Sequence, residues 1–296
     1  MPWRRKPNLL KRANKIGSPT TLDLGYLKAA TILASLPEDG FITIYLVGCG
    51  GTGSFMAMHI GRLLFSLAEA GKRARAVFVD HDHVEAKNLG RQLFCRAEIN
   101  QNKAAALAFR YGSAWGLEIS AIAEKFKGSM VKPEFDSLTI IVGCVDNAAA
   151  RKEISRALKH NRPNVPPRIW WLDCGNHENA GQVLLGSAPK GYWSAAKAFR
   201  TKTICQSLPA PVVLRPELLK PLPEEKNPQR LSCAELAAAN LQSLNINARI
   251  AAEASEFLTG LLLTRDLKRF ACELNLPAGS MRSSYATPEA VEKAIA

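Results

Sequence analysis

The chain has 296 residues, a formal net charge of +13 and an apolar content of 47%. This apolar content is ample for a sizeable core and excludes wholesale disorder, and the length allows one large domain or two modest ones. The seven cysteines include no CxxC pair, which argues against a disulfide framework and against zinc bound by two CxxC knuckles.

The N-terminus lacks the apolar region of a signal peptide, and its first 15 residues hold six Lys or Arg and no acidic residue. Such a basic arm suits nucleic acid, an acidic protein partner or plain solvation. The stretch from Gly40 to Gly61 has no Asp, Glu, Lys or Arg, but its glycines favour a strand, a turn and a helix over a membrane span. We expect a cytoplasmic protein with no membrane partner and no nucleic-acid partner.

Short apolar runs alternate with helical patterns along the first part of the chain. The predicted strands are 42–47, 76–80, 117–124, 138–142, 169–173 and 181–185, and the predicted helices are 54–70, 102–115 and 148–160. This alternation predicts an α/β fold with a doubly wound, Rossmann-like, mostly parallel sheet.

The character of the sequence changes after residue 185. Six prolines lie between Thr201 and Arg230, too many for regular structure, and a helical pattern returns from Ala234 to Leu263. We predict a nucleotide-binding domain with a basic N-terminal arm over 1–185, a proline-rich crossover loop over 186–232 and a C-terminal helical extension over 233–296. The tail beyond Pro277 is small and polar and is expected to fray.

A glycine-rich turn follows the first predicted strand and opens the first predicted helix. In this context glycines let the backbone wrap a phosphate and direct the N–H groups of the helix N-terminus at it. Asp80 closes the next strand, where a carboxylate can accept hydrogen bonds from a ribose. These residues predict a nucleotide site, and the glycines in question are Gly48, Gly50, Gly51 and Gly53.

The motifs that follow are more specific. The sequence reads DxDxVxxxNLxRQ from Asp80 to Gln92, then Lys103, then DNxxxR from Asp146 to Arg151. Together with GxGGxG, this order resembles the ThiF/MoeB superfamily, which includes the ubiquitin-activating enzymes. The resemblance covers about residues 42–155 and implies adenylation of the C-terminal glycine of a ubiquitin-like or sulfur-carrier protein. A nicotinamide dehydrogenase, the oxidoreductase alternative, has no reason to carry the NLxRQ segment.

The resemblance also implies roles for individual residues. Asp80 would hold the ATP ribose, and Asp146 would hold Mg²⁺ through oxygen. Contacts to the phosphates would come from Asn88, Arg91 and Lys103, of which Arg91 and Lys103 offset charge as pyrophosphate leaves. Gln92, in the same motif, would be a further cofactor-binding residue. The family's zinc-binding members carry two CxxC pairs, so zinc is not expected here.

A cysteine acts as nucleophile in many family members and forms a thioester with the carrier. Its place in the family, just past the crossover loop, is occupied here by Cys233 at the start of a predicted helix. Cys205 in the same loop is the competitor, and a mechanism without a covalent step stays open. The segment around Cys233 and Asn245-Ile246-Asn247 looks most like the ThiF-like proteins of bacterial PRTRC operons.

The family's architecture implies a homodimer, in which an arginine upstream of the first strand reaches the partner's ATP. No such motif precedes Phe41, and no feature singles out one of Arg4, Arg5 and Arg12 as its substitute. The expected partners are a small carrier protein ending in glycine and a downstream conjugating enzyme. The alternatives are adenylation of a small carboxylate, a peptide or a tRNA base, and a catalytically silent scaffold.

Overall fold

The computed structural model describes residues 25–36, 40–132, 136–177, 179–221 and 245–295. Their centre is an eight-stranded sheet. Its strands are β2 (Phe41–Val47), β3 (Arg73–Val79), β4 (Ile119–Ile122), β5 (Ser137–Gly143), β6 (Ile169–Asn176), β7 (Ala180–Gly186), β9 (Arg269–Asn275) and β10 (Ser280–Tyr285). Across the sheet they lie in the order β10-β9-β7-β6-β5-β2-β3-β4.

Five neighbouring strands, from β4 to β6, run parallel, and β7, β9 and β10 are added antiparallel. The predicted α/β class with a mostly parallel sheet is therefore confirmed. Chain order runs outward from β2 through β3 to β4 on one side and from β5 through β6 to β7 on the other. In open parallel sheets, ligands bind outside the carboxyl ends of the strands at such a reversal point.

Helices cover both faces of the sheet. The longer ones are α2 (Gly51–Glu69), α3 (Lys103–Trp115), α4 (Ala148–Ala157), α7 (Ile246–Leu258) and α8 (Pro288–Ile295). Side chains of α2, α3 and α7 enter the larger core, whereas Ile154 and Ala157 of α4 enter a second core on the opposite face. Because both faces are covered, β5 is buried along its whole length, which explains its continuous apolar run.

Two asparagines fix where α3 and α4 begin. The side-chain oxygen of Asn102 accepts a hydrogen bond from the Ala105 N–H at 3.0 Å, and that of Asn147 accepts from Ala150 N–H at 2.8 Å. Each satisfies an N–H that a helix start leaves free. Asn102 also donates to the Asp80 carbonyl, just past β3, and Asn147 follows the end of β5. Both helices therefore begin at the carboxyl edge of the sheet.

The C-terminal region differs from its predicted form. It contains α7 and α8, but also β9 and β10, which extend the main sheet, so the expectation of fraying beyond Pro277 was wrong. The reason is tertiary: Phe270 and Cys272 of β9 are buried in the core, and the β9 backbone pairs with β7. Helix α7 begins at Ile246, and residues 222–244, including Cys233, lie outside the described residues.

The described part of the crossover segment contains short elements rather than a plain loop. They are α5 (Ala195–Ala198), β8 (Ile204–Cys205), α6 (Pro211–Leu214) and a 3-10 turn over Pro216–Leu219, and β8 pairs in parallel with β1 (Thr31–Ile32), which follows α1 (Gly25–Lys28). Within the described ranges, every helix is too short or too polar to cross a membrane. The domain limits at 185 and 232 stay predictions.

Candidate nucleotide site

A cavity of about 1430 Å³ opens at the carboxyl ends of the parallel strands, at the reversal point between β2 and β5. It is lined by most of the residues that the sequence motifs predict for the site: Gly48, Gly50, Gly51, Asp80, Asn88, Arg91, Gln92, Lys103 and Asp146. The cavity continues past the β6–β7 turn to residues of β9 and β10. The structure thus brings the predicted nucleotide residues together, and Gly53 lies behind them.

The glycine turn is shaped by close packing. Gly48 has φ +86°, and a Cβ there would lie 2.6 Å from the Cys144 carbonyl oxygen. A Cβ on Gly53 would overlap the Gly48 carbonyl oxygen. Gly50 is different, since only the Gln92 Nε2 would come near a Cβ there, at 3.8 Å. Two glycines therefore let the chain fold, and Gly50 leaves open the space before the first turn of α2.

Asp80 closes β3 and is nearly buried. Its Oδ2 accepts a hydrogen bond from the Cys49 N–H at 2.6 Å, and its Oδ1 accepts from the Asp82 N–H at 2.8 Å. The carboxylate is thus fixed against the glycine turn. Because each carboxylate oxygen can accept two hydrogen bonds, it keeps capacity for a ligand.

The segment Asn88–Gln92 holds buried polar atoms that lack partners. Asn88 is buried, and its Oδ1 accepts from the Glu85 N–H at 2.9 Å. The backbone N–H groups of Arg91 and Gln92 both donate to the Asn88 carbonyl, which closes a tight turn. Arg91 Nε and Gln92 Oε1 are buried, and neither has a hydrogen-bond partner among the described residues. Native proteins rarely leave such atoms unpaired without a ligand or another functional reason.

Lys103, the first residue of α3, is buried, and its Nζ lies 3.2 Å from Asp82 Oδ2. Asp80, His81 and Asp82 also place ligand atoms within 4.8 Å of one another, the kind of cluster that can hold a metal ion. Here Asp82 pairs with Lys103, and Asp80 accepts from two backbone N–H groups. Lys103 thus places a buried cation beside the cavity, paired with Asp82.

Asp146 and Arg151 share one loop and helix but differ in environment. Asp146 is exposed to the cavity, and its Oδ1 accepts from Asn147 Nδ2 at 3.2 Å. Arg151 is buried, and its Nε lies 3.2 Å from Asp173 Oδ1 on β6. Burial raises the pKa of Asp173 although Arg151 opposes this. Arg151 therefore ties α4 to β6, while the Asp146 carboxylate is accessible to a ligand.

The cysteines divide by accessibility. Cys205, the competitor to Cys233, is fully buried, donates to the Ser207 carbonyl at 3.2 Å, and has its pKa raised by burial to about 12. It does not line the cavity, so it has the environment of a core thiol. Cys144, by contrast, is partly exposed and lines the cavity.

The sequence motifs did not predict Asn247 as a site residue. It lies in the first turn of α7 with 1% of its surface exposed, and it lines the cavity. The Asn245-Ile246-Asn247 segment carries a resemblance to PRTRC-type proteins, but this resemblance implies no role for Asn247 in the site. A polar residue inside an otherwise apolar helix face was the available signal.

Three solved structures are similar to this chain, and the two of MccB share its fold. E. coli MccB with ATP is 14% identical, with a TM-score of 0.51, and the match covers 90% of this chain and 68% of that one. E. coli MccB with AMPCPP and MccA is 13% identical, with a TM-score of 0.51, and the match covers 83% and 64%. PaaA is 14% identical, with a TM-score of 0.48, and the match covers 82% and 63%. The chain thus spans slightly under two thirds of PaaA and of the MccB bound to AMPCPP and MccA.

No protein of curated function matches the sequence. A family model, by contrast, matches residues 40–261. This range is well over half of the chain, and it contains the glycine turn, the NLxRQ segment, Lys103 and Asp146. It also contains Asn247 and the whole of α7. The chain belongs to the ThiF family.

Proposed function

We propose that this protein uses ATP to adenylate the C-terminal carboxylate of a small ubiquitin-like or sulfur-carrier protein. The observation that carries the proposal is a pair of buried atoms, Arg91 Nε and Gln92 Oε1, that have no hydrogen-bond partner in the part of the chain that the structure describes. Both residues line a cavity that is also lined by the glycine turn, Lys103 and Asp146. These groups offer hydrogen bonds and positive charge to a polyanion. Family membership and the likeness to MccB, which was crystallised with ATP, support the same nucleotide.

Asp80 and the glycine turn would hold the nucleoside end. The Asp80 carboxylate, fixed by the Cys49 and Asp82 N–H groups, accepts hydrogen bonds from ribose hydroxyls. The space before Gly50 lets the first turn of α2 approach a phosphate, where its N–H groups and dipole favour negative charge.

Arg91, Lys103 and Asn88 would hold the phosphates. In the proposed reaction, a carboxylate oxygen bonds to the α-phosphorus, the bond from this phosphorus to the bridging oxygen breaks, and pyrophosphate leaves with the electron pair. The two cations offset the charge that grows on the leaving group. The residues mainly position and neutralise, because such a displacement needs little covalent chemistry from the protein.

Asp146 would hold Mg²⁺. Its carboxylate is exposed to the cavity, and an oxygen ligand suits this hard ion. When bound, Mg²⁺ neutralises phosphate charge and orients the phosphate oxygens. The neighbouring Asn147 holds the Asp146 side chain through its Nδ2 and also caps α4, so the carboxylate projects from a fixed loop.

The extent of the cavity supports an acceptor substrate that is an extended chain. Beyond the nucleotide residues, it runs along the β6–β7 turn to Leu274, Ser280 and Arg282 of β9 and β10. This extent suits a carboxylate at the end of an extended peptide better than a small acid. MccB, crystallised with MccA, makes a peptide acceptor the second candidate.

A thioester step completes the proposal. The Cys233 thiolate would attack the carbonyl carbon of the acyl-adenylate, its bond to the phosphate oxygen would break, and AMP would leave. A thiol of the conjugating enzyme would then displace Cys233 and take the carrier. The buried environment of Cys205 supports Cys233 over its competitor. A homodimer is proposed as the working state from the family's architecture. In Cys233→Ala, pyrophosphate exchange should survive while the thiol-sensitive conjugate disappears, and loss in Cys205→Ala instead would contradict this assignment.

The test is exchange of labelled pyrophosphate into ATP with Mg²⁺ and one of three acceptors: a peptide ending in Gly-Gly, its C-terminal amide, or acetate. Exchange is expected with the free peptide only. Asp146→Asn, which is isosteric and removes only the charge, should lower the rate about 100-fold or more. Arg96→Ala, at an exposed arginine outside the cavity, is the matched control and should leave it unchanged.

The same experiment distinguishes the alternatives. Exchange with acetate alone would move the substrate class to small carboxylates. A protein that binds neither ATP nor any acceptor would fit the silent scaffold. Calorimetry that shows binding of NAD but not of ATP would overturn the nucleotide assignment.

A further inference from the structure

Asn247 connects three separate walls of the cavity. Its Oδ1 accepts a hydrogen bond from Thr52 Oγ1 at 3.1 Å and another from Asn176 Nδ2 at 2.7 Å. Its Nδ2 donates to the Arg91 carbonyl oxygen at 3.2 Å. One buried carboxamide thus joins the start of α2, the end of β6 and the Asn88–Gln92 turn. We propose that Asn247 is a positioning residue for nucleotide binding, an inference that rests on the proposed function.

The chemistry of these contacts requires both a donor and an acceptor. Thr52 and Asn176 approach with hydrogens, whereas the Arg91 carbonyl offers only lone pairs. An asparagine satisfies all three. An aspartate of the same shape would place a carboxylate oxygen against the Arg91 carbonyl, so the turn that carries Arg91 and Gln92 would move away.

Packing strengthens the connection. A Cβ on Gly51 would lie 2.7 Å from Asn247 Oδ1 and 2.9 Å from its Nδ2. Gly51 is therefore in close contact with this side chain, and their separation cannot shrink. The glycine at this position gives Asn247 room, whereas Gly48 and Gly53 serve the backbone of the turn itself.

The position of Asn247 is set independently of the cavity. Ile250, Ala254 and Phe257 of α7 are buried in the larger core, and α7 packs against α2, β6 and β7. Packing of α7 in the core therefore fixes the position of Asn247, and its carboxamide contacts residues that line the cavity. Arg91 and Gln92, whose orphan atoms carry the proposed function, are positioned through the Arg91 carbonyl.

The test compares Asn247→Asp with Asn161→Asp by calorimetry with ATP and Mg²⁺, well below the melting temperature of each variant. Asn161 is a matched control, because it is also buried and hydrogen-bonded, to the backbone of Arg168, Ile169 and Ser187, but does not line the cavity. Asn247→Asp should weaken ATP binding about tenfold or more. Asn161→Asp should lower the melting temperature and leave the affinity unchanged.

Amide hydrogen exchange gives a second readout that needs no nucleotide. Residues 88–92 should exchange faster in Asn247→Asp than in wild type, and at the wild-type rate in Asn161→Asp. If Asn247→Asp does not fold, Asn247→Ser is measured instead. The serine hydroxyl keeps one donor and two acceptor sites. This variant should therefore weaken ATP binding and speed exchange at residues 88–92, by less than is expected for Asn247→Asp.

Three outcomes overturn the inference. They are Asn247 variants that bind ATP within about twofold of wild type, an equal loss in Asn161→Asp, and unchanged exchange at residues 88–92. Wild-type protein that binds no ATP overturns the proposed function as well. Wild-type protein that binds ATP no better than Asn247→Asp overturns this inference alone.

Discussion

Two stretches of the connection between β3 and α3 treat their buried polar groups in opposite ways. Glu98 is fully paired: its carboxylate accepts from the Cys95 N–H and from two nitrogens of Arg110, which also donates to the Leu93 carbonyl at 2.9 Å. A few residues earlier, Arg91 Nε and Gln92 Oε1 are buried and have no hydrogen-bond partner within the described ranges. The polar groups around Glu98 stabilise the fold, whereas those of Arg91 and Gln92 keep hydrogen-bonding capacity for a ligand.

The difference separates structural charge from functional charge within one segment. A buried ion pair with additional hydrogen bonds fixes the path of the chain between the two elements. Buried donors and acceptors without partners lower stability until a ligand satisfies them. Substitutions in the two stretches should therefore have opposite consequences for folding and for ATP binding.

The largest contrast is expected between Arg91→Ala and Arg110→Ala. Arg91→Ala should weaken ATP binding about 100-fold with little change in the free energy of unfolding, because the buried Nε has no hydrogen-bond partner among the residues that the structure describes. Arg110→Ala should keep ATP affinity and lower the free energy of unfolding by about 3 kcal/mol, since it leaves the buried Glu98 carboxylate without its cation. Calorimetry and urea denaturation measure the two effects, and a shared pattern would remove the distinction.

The Glu98 pair should also make stability depend on pH. Burial alone would raise the pKa of Glu98, but hydrogen bonds from Arg110 and from the Cys95 N–H lower it below its usual value. A carboxyl with a lowered folded-state pKa stabilises the protein above its unfolded-state pKa, and this contribution is lost as the pH falls through the folded-state pKa. The pairing of Glu98 therefore supports folding at neutral pH and not in acid.

Glu98→Gln tests this dependence. It should lower the free energy of unfolding by about 2 kcal/mol near neutral pH, and the difference should shrink as the pH falls through the lowered folded-state pKa of Glu98. Glu118→Gln is the control, because its ion pair with Arg75 is 3.9 Å long and Glu118 is exposed, so little change is expected at any pH. A pH-independent loss in Glu98→Gln would attribute the effect to packing.

The smallest effect is expected for Gln92→Leu. Removing an unpaired buried oxygen should raise the free energy of unfolding by up to about 1 kcal/mol. The same change should weaken ATP binding about fivefold, because the ligand loses a partner. Gln101→Leu, at an exposed glutamine outside the cavity, should change neither. A destabilised Gln92→Leu would show that this oxygen is satisfied in solution.

The sheet and the glycine turn could be predicted because their signals are local. The strands that became β2, β5 and β6 are apolar runs of nearly the right length, ended by glycine or polar residues, and the DxD and NLxRQ motifs fix the order of the site. β10 has no such signal: Ser280–Tyr285 is mostly polar and becomes a strand only by pairing with β9. Local patterns cannot reveal a strand whose stability comes from its neighbour.

Pairing within the site was also beyond the sequence. The motifs place Arg91 and Gln92 in a nucleotide site, but only the folded chain shows that their side chains keep unpaired atoms while Arg110 and Glu98 do not. Asn247 is the clearest case. Its role depends on three contacts to residues far away in the chain, so no window around it contains the information.

Asn247 and Thr52 are separated by 195 positions, which has a consequence for the order of synthesis. During translation, the glycine turn, the Arg91 turn and the end of β6 all leave the ribosome before α7 exists. The nascent chain can therefore pair β2 with β3 and β5 early, while the carboxamide that joins these walls arrives only with the last fifth of the chain. The proposed adenylation site therefore stays incomplete until α7 has been synthesised. A nucleotide is held firmly only after α7 has docked and Asn247 joins the three walls.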